Sequence, residues 1–116
     1  MSSNVIFFGW DRPAQGSERS ARELFGEFMQ YLGGLQQTGA IQSFEPVFLD
    51  PHGGDLNGFC LIRGDGDKLD EVLSSEAWGD LVTRADFHLN GIGVVRGATG
   101  DLITARLARY QKLFSG

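Results

Sequence analysis

The chain has 116 residues, of which 41% are hydrophobic and 22% charged. This composition is typical of one folded globular domain and excludes an intrinsically disordered chain. The formal net charge is −5, and the lysines and arginines are scattered singly, so we expect no nucleic-acid partner. One cysteine, Cys60, excludes an internal disulfide. No signal-like or membrane-spanning segment is recognised, so we expect a cytoplasmic protein without a membrane partner.

The first half of the chain predicts a strand, a long helix and a hairpin. The apolar run 5–8 favours a strand because it is rich in β-branched and aromatic side chains. From Ser17 onward, apolar residues recur at helical spacing, and Gly39 is a natural end for that helix. Strands are then expected at 44–49 and 56–63, joined by a turn rich in Asp, Pro and Gly.

The second half predicts helix, strand and helix. Asp67 can cap a helix, and a second helical piece is expected after a kink at Ser74. Residues 87–96 favour a fourth strand, and 101–115 a last helix. The fold class is therefore α+β: a ferredoxin-like β-α-β-β-α-β unit with a four-stranded antiparallel sheet, plus an added C-terminal helix. One domain is expected over 1–116, with its core at 4–97.

The predicted strands indicate that both faces of the sheet need cover. An antiparallel sheet with one wet face alternates apolar and polar residues, but the runs 5–8, 47–49 and 59–62 are continuously apolar. The helices of a ferredoxin-like unit cover one face only. A second copy of the chain is the economical cover for the other face, so we expect a homodimer. The alternative is that the helix at 101–115 folds back over this face.

The element order, the Gly39-Ala40-Ile41 lead into the second strand and the Ser75-Glu76-Ala77-Trp78 start of the second helical piece resemble the dimeric α+β barrel superfamily over residues 4–97. The resemblance implies two sheets facing one another and a cavity between sheet and helices. The superfamily includes cofactor-independent monooxygenases, haem-degrading enzymes and many proteins of unknown function. It therefore implies a fold and an assembly but no single activity.

Four residues are candidates for binding a ligand in such a cavity. Arg63 and Arg96 end strands that are otherwise apolar, and a guanidinium there could hold a carboxylate or enolate. Emergence of strand ends into water explains them equally well. His88 would lie in the last strand, and two glycines in that strand leave open which face it occupies. Trp10 could line the cavity or pack in the core.

The remaining motifs do not predict a metal, nucleotide or catalytic site. A calcium loop begun at Asp65 fails because its fifth and sixth positions are Leu69 and Asp70. Trp78 fits core packing better than a haem-degrading site. No dinucleotide fingerprint or catalytic triad spacing is present. We therefore assign no catalytic residue, no metal and no cofactor.

Three functional hypotheses follow, and whether the protein is an enzyme stays open among them. The first is a dimeric barrel protein that binds a small apolar ligand between sheet and helices. The second is a cofactor-independent monooxygenase or isomerase acting on an aromatic or enolisable substrate, with His88 as base and Arg63 or Arg96 stabilising negative charge. The third is a purely structural dimer module.

Overall fold

The computed structural model of the chain describes residues 2–115. The predicted order of strands and helices is confirmed, with the second helical region divided in two. The elements are β1 (Val5–Trp10), α1 (Glu18–Thr38), β2 (Ser43–Phe48), β3 (Gly58–Arg63), α2 (Gly66–Ser74), α3 (Glu76–His88), β4 (Gly93–Gly97) and α4 (Asp101–Phe114).

The four strands form one antiparallel sheet in the order β2-β3-β1-β4. This is the ferredoxin-like arrangement, and β2 and β3 form the expected hairpin. β1 is central, so Phe8 lies between Cys60 of β3 and Val94 of β4. Pro46 lies on β2, which is an edge strand and tolerates a residue without an N–H.

The hydrophobic core lies between one face of the sheet and helices α1 to α3. Even-numbered residues of β1 and β3 point into it, because successive side chains of a strand alternate between faces. α1 presents one buried stripe to these strands and ends at Gly39, whose φ of 82° is the left-handed conformation that closes a helix. The largest fully buried side chains are Ile6, Leu32, Ile41, Ile62, Leu69 and Cys60.

The start of α2 corrects one sequence prediction. The N-cap is Asp65 and not Asp67, because the Asp65 carboxylate accepts hydrogen bonds from the backbone N–H groups of Asp67 and Lys68. The expected break after Ser74 is confirmed. Ser75 joins the two helices: its Oγ donates to the Val72 carbonyl at the end of α2 and accepts from Trp78 N at the start of α3.

The fourth strand is shorter than predicted. Residues 87 and 88 belong to α3, and β4 begins only at Gly93. Trp78, Ala85 and Leu89 recur at helical spacing through the end of α3, and Leu89 packs against the core. Gly91, at a φ of 61°, then turns the chain into β4. His88 therefore ends a helix and does not lie in a strand.

The sheet face turned away from α1 to α3 has no cover from residues 2–115, and we call it the open face. Phe7 is its central residue, flanked by Leu61 and Val95 on the neighbouring strands and stacked on Phe59 at a ring-centroid distance of 5.0 Å. Val95 is 57% exposed. α4 does not fold back over this face, since none of its described residues is buried. The alternative of a cover within one chain is therefore wrong.

Candidate functional site

A cavity of about 710 Å³ lies between the sheet, α1 and α3. Its volume falls within the range of about 300–1,000 Å³ that is typical of small-molecule sites. Its inner wall is apolar, and β1, α1 and α3 all contribute to it. Six aromatic side chains from four elements line it: Phe8, Trp10, Phe25, Phe28, Phe48 and Trp78.

Trp10 lies at the end of β1, with its indole across the neighbouring strand β3. A Cβ at Gly58 would lie 2.7 to 2.9 Å from three indole atoms, so only glycine leaves room for the ring. Phe25 and Phe48 pack against the same indole at centroid distances of 6.3 and 6.0 Å. Trp10 is consequently a fixed wall of the cavity, only 8% exposed.

Trp78 forms the opposite part of this wall. Its indole meets Phe8 edge-on at 6.0 Å and packs against Phe28 at 5.9 Å. The structure thus agrees with the sequence interpretation of Trp78 as a packing residue, since it is only 4% exposed. The same packing presents it to the cavity, so both tryptophans of the chain contact this space.

The polar groups of the cavity lie together at its mouth. Asn57, just before β3, donates from its side-chain amide to the carboxylate of Asp11, just after β1. Arg12 and Arg22 lie at the same rim, and the Arg12 guanidinium is 3.9 Å from the Asp11 carboxylate. Among the lining residues that the structure describes, Asp11 and these two arginines are the only ionisable ones. The cavity can therefore bind an apolar body deep inside and a polar end at the rim.

Backbone hydrogen bonds fix the position of the loop at the mouth of the cavity. The Asp11 N–H donates to the Asn90 carbonyl, and the Asn90 N–H donates to the Arg12 carbonyl. The Ala14 N–H donates to the carbonyl of His88. The loop after β1 is thereby tied to the end of α3, so the site is preformed.

His88 supports this loop through its backbone, and its ring lies outside the cavity lining. The imidazole Nδ1 is 3.3 Å from the hydroxyl of Ser17, and Phe87 meets the ring edge-on at 5.0 Å. A base acting in the cavity would need to reach the bound molecule. We therefore do not carry His88 forward as the base of an oxygenase or isomerase.

Arg63 and Arg96 lie at one end of the sheet but on opposite faces, and neither lines the cavity. Arg63 is on the open face, 3.8 Å from the carboxylate of Glu45. Arg96 is on the helix-covered face and pairs with Asp70 of α2. The structure therefore brings Trp10 to the cavity and leaves Arg63, His88 and Arg96 elsewhere.

Sequence reasoning missed several residues of the site. Phe25 and Phe48 are far apart in the chain, and only the pairing of β2 with β3 brings Phe48 over α1, at 5.2 Å from Phe25. Asn57 was covered by the predicted strand 56–63. One local signal was available, since Asp11 and Arg12 directly follow an apolar strand, where site residues are often found.

Cys60 lies on the helix-covered face of the sheet and is fully buried. Burial raises the pKa of its thiol to about 11, and the nearby charge of Glu45 adds to this while a backbone hydrogen bond opposes it. The thiol is therefore protonated and unreactive at neutral pH. Within residues 2–115, no three His, Cys, Asp or Glu side chains converge as metal ligands. No helix of that region is long and apolar enough to cross a membrane.

Comparison with known proteins identifies the fold. No family model matches the sequence, and neither does any curated protein. A dimeric protein of unknown function and ferredoxin-like fold from Bacteroides fragilis NCTC 9343 superposes with a TM-score of 0.58 and 9% identity, over 82% of this chain and 95% of that one. SnoaB, a cofactor-independent oxygenase from Streptomyces nogalater, superposes with a TM-score of 0.52 and 14% identity, over 84% and 96%.

Identities this low show the fold alone, because one fold carries many functions. Both structures are covered almost completely, so the likeness extends over the whole β-α-β-β-α-β unit and not one motif. The ferredoxin-like fold predicted from the sequence is thus confirmed, and the chain is a ferredoxin-like α+β domain.

Proposed function

We propose that this protein binds a small, largely apolar ligand in the cavity between its sheet and its helices. The observation that carries the proposal is the preformed aromatic cavity of about 710 Å³. A well-packed core leaves few voids larger than a water molecule, so a space of this size needs an occupant or a function. Its volume suits a molecule of drug-like size.

The lining favours an aromatic ligand with one polar end. Flat rings fit between aromatic walls because offset and edge-on contacts between rings are favourable. At the rim, the Arg12 side chain is 76% exposed, so its guanidinium is accessible to a carboxylate, phenolate or carbonyl oxygen. The Asn57 amide lies beside it and can orient such a group. The deep wall holds no acid or base, which supports binding over proton transfer as the activity of this site.

The proposed binding protein is a homodimer. The open face leaves Phe7, Phe59, Leu61 and Val95 partly exposed, and contiguous apolar patches of this kind mark interaction sites in soluble proteins. The same face of a second copy matches it in size and character, as a closed two-fold interface requires. The dimeric state of the Bacteroides fragilis protein with this fold is consistent with that assembly.

The fluorescent probe 1-anilinonaphthalene-8-sulfonate tests the cavity, because it joins an aromatic body to one anionic group. Both tryptophans of the chain line the cavity, so a probe bound there should quench tryptophan emission and emit by energy transfer. We expect saturable binding of one probe per chain. Binding without tryptophan quenching would place the probe elsewhere and contradict the proposal.

A pair of variants on α3 localises the probe. Val82 lines the cavity, whereas the next residue, Thr83, is exposed. Val82→Phe adds a ring to the cavity and should weaken binding about tenfold or more, whereas Thr83→Phe adds the same ring to the outer surface and should leave it unchanged. Equal affinities for two variants that both retain the far-UV circular dichroism of the parent would overturn the cavity as the site.

Light scattering tests the homodimer separately. The chain has a mass of 12.7 kDa, so the dimer should scatter as about 25 kDa at micromolar concentration. A single sharp species at the monomer mass would contradict the assembly without affecting the cavity proposal.

A further inference from the structure

The exposed hydrophobic side chains of the protein are concentrated on α4. Nine large hydrophobic residues are exposed within residues 2–115, and five of them lie on this one helix. Isolated exposed hydrophobics need no explanation, but a cluster marks an interaction surface. The five are Ile103, Leu107, Tyr110, Leu113 and Phe114.

Four of these residues form a continuous stripe. Ile103, Leu107, Tyr110 and Phe114 follow one another at intervals of four, three and four residues, which places them along one side of a helix. The rings of Tyr110 and Phe114 already contact each other at a centroid distance of 5.9 Å. A helix of 14 residues whose apolar side packs on nothing is marginally stable in water. The stripe therefore needs a surface to pack on.

The base of α4 is fixed to the domain while the rest of the helix projects from it. The Asn4 side chain exchanges two hydrogen bonds with the backbone of Thr99, and the Arg106 guanidinium donates to the Ser2 carbonyl. Gly100, at a φ of 62°, sets the direction in which the helix leaves. The radius of gyration is 16.0 Å, against about 13 Å for a spherical domain of this length, so α4 extends outward in a defined direction.

The charge of α4 is opposite to that of the rest of the chain. The helix carries Arg106, Arg109 and Lys112 against Asp101, a net charge of +2. Since the whole chain has −5, the remainder has −7. A second copy of the chain therefore attracts this helix, and a negatively charged lipid surface would repel the acidic domain to which it is attached.

The open face alone is small for a stable interface. Four strands spaced about 4.8 Å apart and about 20 Å long give a projected area of about 400 Å². A specific protein interface buries about 800 Å² of accessible surface on each partner. α4 is about 21 Å long and about 10 Å wide, which adds about 200 Å² of projected area per copy. With α4 included, the projected area per copy rises by about half, to about 600 Å².

We propose that α4 is a clasp: its apolar stripe packs on the second copy of the chain, beside the partner's open face, and both copies contribute one such helix. This inference rests on the homodimer proposed above and assigns α4 its role in it. The same chain thus provides an apolar helix without cover, an apolar sheet face without cover, and a positive helix on an otherwise acidic domain.

Two substitutions on neighbouring positions test the clasp in the full chain. Leu107→Glu places a charge in the stripe, and Ala108→Glu places the same charge on the exposed polar side of the helix. Neither side chain is buried in one copy, so the fold of the domain is unaffected. By sedimentation equilibrium, L107E should raise the dimer dissociation constant about tenfold or more, and A108E should leave it within about twofold. Equal dimer dissociation constants for L107E and A108E would overturn the clasp.

Photo-crosslinking identifies the surface that the stripe contacts. Tyr110 is replaced by p-benzoylphenylalanine in a mixture of ¹⁵N-labelled and unlabelled protein, so that a crosslink between copies joins peptides of different isotope content. We expect mixed adducts with residues of the partner's open face or its rim. Adducts confined to one chain, or adducts only between two copies of α4, would overturn the proposal.

The outcomes separate this inference from the homodimer itself. If the parent protein has the monomer mass, the homodimer fails and the clasp fails with it. If the protein is dimeric but L107E dimerises as well as A108E, the clasp alone fails. Flotation of the parent protein with anionic vesicles, lost in L107E, would identify a lipid surface as the partner and overturn the clasp.

Discussion

Gly58→Ala should close part of the cavity by moving Trp10. The added methyl group would lie 2.7 Å from the nearest indole atom, where ordinary van der Waals contact begins at 3.4 Å. The ring must therefore shift by about 0.7 Å. The rings of Phe8, Phe25 and Phe48 pack against the indole, and the cavity is the free space beside it.

The energetic cost of this shift can be bounded. Overpacking of a core by one methylene costs about 1–3 kcal/mol. Replacement of glycine by alanine also stabilises the folded state by about 0.4–1 kcal/mol, because it reduces the conformational entropy of the unfolded chain. The free energy of unfolding should therefore fall by about 1–2 kcal/mol, which lowers the Tm by roughly 4–8 °C for a domain of this size. Affinity for the naphthalene probe should fall about tenfold, because the indole occupies its space.

Gly93→Ala is the matched control for this experiment. Gly93 also lies in the sheet, but a methyl group there would meet nothing within 4 Å, and its φ is not positive. G93A, whose methyl group lies on the open face and away from the cavity, should keep its probe affinity. If thermal unfolding and probe titration give the same values for G58A and G93A, the indole is not a fixed wall of the cavity, and the reasoning is wrong.

Two further predictions concern stability. Burial raises the pKa of the Cys60 thiol from an ordinary value of 9.0 to about 11. The protonated thiol therefore stabilises the fold by about 2–3 kcal/mol below pH 9, and this contribution is lost as the pH rises to 11. Urea unfolding should show this loss in the parent relative to Cys60→Ala, and parallel curves above pH 9 would contradict it. Asp65→Ala should destabilise the protein by about 1 kcal/mol through loss of the α2 cap, whereas Asp67→Ala should cost less than half of that; the reverse order in urea would restore Asp67 as the cap.

The order of strands and helices was predictable because local signals specify it. Turn residues separate the strands, and the apolar spacing of α1 has a helical period that no strand shares. The end of α3 was not predicted because Phe87 and His88 are compatible with a strand by composition. Only their position after Trp78 and Ala85 at helical spacing shows that the helix continues.

The candidate site was predictable in part only. The sequence placed Trp10 at a strand end beside a loop, which is local information. Its contact with Phe48 depends on long-range strand pairing, as does the Asn57–Asp11 hydrogen bond, and no local pattern contains these. Arg63 and Arg96 illustrate the same limit, because a shared sheet end does not determine a shared face.

Pro46 on the edge strand β2 has a consequence for how copies of the chain can associate. An edge strand with free N–H groups is a template on which another chain can add a strand, and continued addition leads to fibres. Pro46 removes one of those donors, and the exposed Glu45 beside it adds a charged side chain to this edge strand. The opposite edge, β4, has five residues and carries Arg96. Both edge strands thus disfavour the addition of a strand from another chain. Self-association is therefore confined to the faces of the sheet, where it leads to closed oligomers and not to fibres.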